Sequence, residues 1–172
     1  MEANPPKTGK FSLNYGLILG GLAVIFGIML YLSDAYVTQS PVNSIISIAM
    51  SIGVIFWGIL NFRKANGGYL SVKQALKLGA GIALVAGILS VIWTVILSNV
   101  LDPDFPSKMM DLQLAEAAKT TNLTPEQLQQ QKEIGLQFWW FGYPVILVVN
   151  IIIGLVIGLV GGLIFKKAQP DY

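Results

Sequence analysis

The chain has 172 residues, of which 54% are hydrophobic and only 12% charged, and its mean hydropathy is +0.66. Soluble domains carry about 25% charged residues, so this composition falls outside the soluble globular class. Cysteine and histidine are both absent, which removes disulfides, thiolate metal sites, cysteine nucleophiles and the commonest general base, and the small net charge of +2 implies no nucleic-acid partner.

The head, MEANPPKTGK, is too polar and proline-rich to pack and is expected to be disordered. Behind it, residues 15–32 contain no Asp, Glu, Lys or Arg, and neither do 42–60, 78–101 and 138–165. A helix needs ~20 mostly apolar residues to cross a ~30 Å hydrocarbon core, and in lipid a helix satisfies its own backbone groups. The prediction is an all-α membrane protein, one membrane domain over residues 1–172. Its four transmembrane helices, at about 13–33, 42–61, 77–101 and 138–165, are read as two hairpins. The first is taken as an uncleaved span, since its 18 uncharged residues exceed the short apolar core of a signal peptide.

Tyr31 and Tyr36 flank the short turn after the first span, where aromatic belts occur. After the second span comes NFRKANGGYLSVKQALKLGAG, in which Asn66-Gly67-Gly68 signals a turn and Ser71 with Gln74 forms a capping box. The third helix is therefore expected to start near Val72. After it, DPDFPSKMM opens a helix running to about Thr121, with prolines and acidic residues suited to a first turn. TNLTPEQLQQQKE turns into another, with Thr124 as N-cap, Pro125 behind it and Gln127 completing a second capping box. Residues 102–137 thus read as an extramembrane helical hairpin inserted between the third and fourth spans. Its second helix is expected to run almost unbroken into the fourth span, bending near 142–144 because Pro144 lacks an amide proton. Phe138, Trp139, Trp140, Phe141 and Tyr143 would form its interfacial collar.

Two sets of glycines are spaced for close helix packing: Gly16 with Gly20, and Gly154, Gly158 and Gly162. An internal likeness, GILNFRKAN (58–66) against GGLIFKKAQ (161–169), fits a duplication of two parallel hairpins, the second carrying the insertion. Eight of the eleven basic residues, Lys7, Lys10, Arg63, Lys64, Lys73, Lys77, Lys166 and Lys167, fall on one side of the predicted membrane. That side is cytoplasmic by the positive-inside rule, so both termini are cytoplasmic and the hairpin is periplasmic.

No span contains an ionisable residue, which argues against a proton-coupled transporter. The polar residues within the spans are few: Asn14, Asn43, Ser47, Ser90, Thr94 and Asn150 among them. No catalytic residue, cofactor or metal is predicted; Asp102 and Asp104 are explained by the helix start.

LNYGLILGGL, FRKANGGYLSVKQALKLGAG, LDPDF and FKK together resemble a family of uncharacterised membrane proteins from Bacteroidota, catalogued as a domain of unknown function. Val72 and Leu76 stand where aromatic residues would be more typical. The resemblance implies a four-span protein of the bacterial inner membrane and assigns it no activity. The expected role is non-enzymatic: a structural or interaction subunit whose periplasmic hairpin meets a membrane or periplasmic protein or another copy of itself. The alternative is a small-solute or lipid handling component, which a cavity lined by Asn14, Asn43, Ser47 and Asn150 would favour. An enzyme would need Asp34, Asp102 and Asp104 in one cleft.

Overall fold

The computed structural model describes residues 6–36, 40–121 and 123–168. They form six α-helices: α1 Thr8–Leu32, α2 Pro41–Ala65, α3 Val72–Ile96, α4 Phe105–Ala118, α5 Pro125–Gln137 and α6 Gly142–Phe165. A π-helical turn, Leu97–Leu101, prolongs α3, and a 3-10 turn, Trp139–Phe141, precedes α6. Four stretches, Thr8–Leu32, Pro41–Ala65, Val72–Leu101 and Trp139–Phe165, are long and apolar enough to cross a membrane. Among the described residues there is no strand, only one isolated bridge.

Helix ends follow local chemistry. Ser40 accepts from the Val42 amide at 3.3 Å and Pro41 opens α2. Asn66 ends that helix, and Gly67 and Gly68 then take φ of 66° and 86°, left-handed conformations that glycine adopts without a steric penalty. Both capping boxes form: Gln74 N to Ser71 Oγ at 3.2 Å with Ser71 N to Gln74 Oε1 at 2.9 Å, and the equivalent pair for Thr124 and Gln127 at 3.3 and 2.9 Å.

The expected disordered head is corrected in part. Residues 1–5 lie outside the described part, but Thr8, Gly9 and Lys10 already belong to α1. The near-continuous helix from α5 into the fourth span is not found either. The helix stops at Gln137, Phe138 takes φ −102° and ψ 15°, and the chain tightens into the 3-10 turn before α6 restarts. Pro144 falls in the first turn of α6, where no intrahelical acceptor waits for its missing N–H, so it removes no bond from the helix.

α3 is the centre of the bundle, with α1 on one side and α6 on the other. Its partnership with α6 is a close backbone approach. A Cβ on Gly79 would strike the Gly154 carbonyl oxygen, and one on Gly158 would lie 2.7 Å from the Ala75 carbonyl oxygen. On α1, a Cβ at Gly16 would lie 2.5 Å from Val85 Cβ of α3. Lipid offers no hydrophobic drive between helices, so such small-residue contacts are where packing forces are gained.

α2 joins differently along its length. Near its C-terminal end Val54, Ile55, Gly58, Ile59 and Phe62 are buried, meeting Leu70, Ala75, Leu78 and Ile82 in the main core. In its first half no residue is buried. The core therefore fills the end of the bundle where α1 begins and α6 ends, and the other half is left open. At the filled end, Leu70 and Lys167 exchange two backbone hydrogen bonds of 3.0 Å, tying the 66–71 turn to the end of α6.

Candidate functional site: a polar cleft between the spans

Where α2 stands away, its neighbours present small side chains: Ala23 and Gly27 on α1, Ala86 and Ser90 on α3. The result is a cavity of about 300 Å³, bounded also by Leu19, Phe26, Leu30, Met50, Trp93 and four further polar residues, Ser47, Ser51, Thr94 and Asn150. Ser47 lies six residues into α2 and Ser51 ten, so at 1.5 Å per residue the cleft reaches from about 9 to about 15 Å along that helix.

Helical geometry brings these groups together. Ser47 and Ser51 are four residues apart, as are Ser90 and Thr94, and an i,i+4 pair lies on one helix face. Each hydroxyl donates to the carbonyl four residues back: Ser47 to Asn43 at 2.9 Å, Ser51 to Ser47 at 2.9 Å, Ser90 to Ala86 at 3.1 Å and Thr94 to Ser90 at 2.9 Å. Asn150 donates one amide proton to Ile146 O at 2.8 Å. The Trp93 indole lies over Gly27, where a Cβ would come within 2.8 Å of Nε1. Trp93 and Thr94 also border a second hollow of about 170 Å³, lined by Tyr31, Tyr36, Leu97 and Phe105, at the end of the bundle from which α4 departs.

Of the residues expected to line such a cavity, Ser47 and Asn150 do. Asn14 instead faces outward, and Asn43 reaches the Ala35 carbonyl at 3.3 Å. Ser51 and Trp93 were missed, and only the four-residue spacing of the hydroxyl pairs could have signalled the shared face. The packing glycines all lie against α3: Gly16 and Gly20 at Val85 and Leu89, and Gly154, Gly158 and Gly162 at Gly79, Ala75 and Val72. The collar residues gather at the start of the fourth span. Trp139 packs edge-on to Phe105 with ring centroids 6.4 Å apart, Trp140 and Phe138 are exposed, and Tyr143 Oη sits 3.3 Å from Ser98 Oγ.

The carboxylates do not share a cleft with these groups. Asp102, only 9% exposed, accepts from Lys108 Nζ at 2.7 Å, and that hydrogen bond holds the lysine above its usual pKa of 10.5. Asp111 pairs with Lys132 across α4 and α5 at 2.6 Å. Among the described residues no three Asp or Glu side chains gather as a metal site. A second feature lies at the end where α1 begins and α6 ends, where Lys7, Lys73 and Lys77 rim a hollow of about 420 Å³ and Lys166 and Lys167 rim one of about 500 Å³. Chemically, the cleft can form hydrogen bonds and apolar contacts, but none of its lining groups can act as an acid or base near neutral pH.

Four apolar helices enclosing an uncharged cleft make this a multi-pass helical membrane protein. A family model described as a protein of unknown function (DUF4199) matches residues 14–167, and the chain belongs to that family. No curated protein and no solved structure matches it.

Proposed function

We propose that the protein is a non-enzymatic component of the bacterial inner membrane that takes an amphiphilic small molecule, a lipid or lipid-like solute, into the cleft from the leaflet on the α4–α5 side. The observation that carries this reading is the convergence of Ser47, Ser51, Ser90, Thr94 and Asn150, from three spans, on one cavity. Unfilled volume lined by polar groups forfeits helix–helix contacts, and a binding site is a reason to retain it. The basic residues flanking the termini support an orientation with both termini in the cytoplasm, which makes α4 and α5 a periplasmic hairpin. The hollow beside Tyr31, Tyr36 and Phe105 offers a way in from that interface.

The test is to purify the protein in mild detergent, extract what it carries and identify it by mass spectrometry, beside a Ser47→Phe variant. Ser47 is exposed on α2, so the larger ring projects into open cleft without displacing core. A molecule held by the wild type and lost from a folded Ser47→Phe protein is the expected result. Identical extracts would sink the proposal.

A second reading, an interaction subunit, draws on the hairpin itself. α4 and α5 bury no residue, and Ile134 and Leu136 are exposed. A pull-down with residues 104–132 replaced by a short linker tests it, and a protein captured equally by both forms would count against it.

A further inference from the structure

Resting on the reading of the cleft as an amphiphile site, we propose that it selects an uncharged headgroup that donates hydrogen bonds, a hydroxyl or primary amide, over one that only accepts them. The argument is a count of protons. All four hydroxyl hydrogens in the cleft already point at carbonyls of their own helices. What Ser47, Ser51, Ser90 and Thr94 turn toward a ligand is oxygen lone pairs, and Asn150 adds its side-chain oxygen. Against these five acceptors stand two N–H groups, the second amide proton of Asn150 and the Trp93 indole. A hydroxyl can swing its proton toward an accepting ligand only by giving up its helix carbonyl, so an acceptor-only ligand exchanges one hydrogen bond for another. A donor adds bonds without breaking any.

Charge is excluded on similar grounds. The cleft residues include no carboxylate to pair with a cation at membrane depth, and its oxygens repel an anion. A volume of about 300 Å³ admits a headgroup of glycerol size, with the acyl chain left to Leu19, Phe26, Leu30 and Met50 or to lipid.

The test uses the cleft's own indole. Changing Trp57, Trp139 and Trp140 to Phe leaves Trp93 as the sole tryptophan, and its fluorescence in the full-length protein reports occupancy. Matched probes are lauramide against N,N-dimethyllauramide, and monolauroylglycerol against methyl laurate. The donors are expected to bind about tenfold more tightly than their acceptor-only partners. In a Ser90→Ala/Thr94→Val variant that gap should shrink while the weaker ligands keep their affinity. Equal binding within each pair, or a preference for the acceptor-only probe, overturns the selectivity and leaves the amphiphile site standing. No binding by any probe to a folded protein overturns both.

Discussion

At Gly79, Gly154 and Gly158 a single methyl group would meet backbone on the facing helix, and backbone cannot rotate out of the way as a side chain can. Gly154→Val is therefore expected to lower stability by about 1–3 kcal/mol, read as an earlier thermal transition in detergent. Gly53 provides the contrast, because a Cβ there meets nothing within 4 Å. Gly53→Ala should leave the transition unchanged or raise stability by about 0.5–1 kcal/mol through helix propensity. Spacing made Gly154, Gly158 and Gly162 legible as a contact face, since three glycines at four-residue steps must line up. Their partner face carries the same signal, because Ala75, Gly79, Ala83 and Gly87 also repeat at four-residue steps in α3, and it went unread because small residues at other positions of α3 surround it. Lys108 belongs to the same scale. Its ammonium is favoured by Asp102, so the bridge contributes fully below the ordinary lysine value of 10.5 and is lost as pH rises through the higher folded value. Melting curves across the alkaline range should fall more steeply for wild type than for Lys108→Gln; parallel curves would mean that the pair adds nothing.

Among the elements, those fixed by local chemistry were readable from the residues alone. Ser71 and Gln74, and Thr124 and Gln127, close their boxes because both partners lie within one turn and need no tertiary help. Ser71→Ala should accordingly cost about 1 kcal/mol, measurable as reduced thermal stability, with the α3 start fraying in hydrogen exchange. The break between α5 and α6 was not readable. No glycine or proline marks Phe138, and the strongest breaker nearby, Pro144, sits where a helix tolerates it. What turns the chain is tertiary: Phe105 holds Trp139, and Ser98 meets Tyr143. The π-helical turn at Leu97–Leu101 is of the same kind. Its Asp102 N to Leu97 O bond of 2.8 Å rotates the exit of α3 by one residue, and Asp102 is there to receive Lys108.

For the molecule as a whole, the two pairs of long helices are unequal. α3 and α6 close upon glycines along much of their length, whereas α1 and α2 meet chiefly where α1 begins and α2 ends, at Phe11 with Phe62 and Tyr15 with Trp57. Such inequality bears on the suggested duplication, whose matching segments end at Gln169, outside the described residues. If the halves share an origin, the first has opened where the second has zipped. Four spans could be counted from hydropathy alone, but a cavity arises from what several helices fail to fill together, and no single helix records that. The proposed amphiphile site would set stability against binding, and this conflict can be measured. Ser51 is half-buried in α2 and faces Ala23 and Ser90 across a gap of about 300 Å³, far more than the difference between serine and leucine. Ser51→Leu should therefore gain contacts without crowding, raising stability by about 0.5–2 kcal/mol, while the bound amphiphile is lost. Thermal melting and ligand retention on the same preparations read both sides. A variant that is more stable and binds as before would mean that α2 can close against α1 and α3 without cost, and that the open half of the bundle is a packing defect rather than a site.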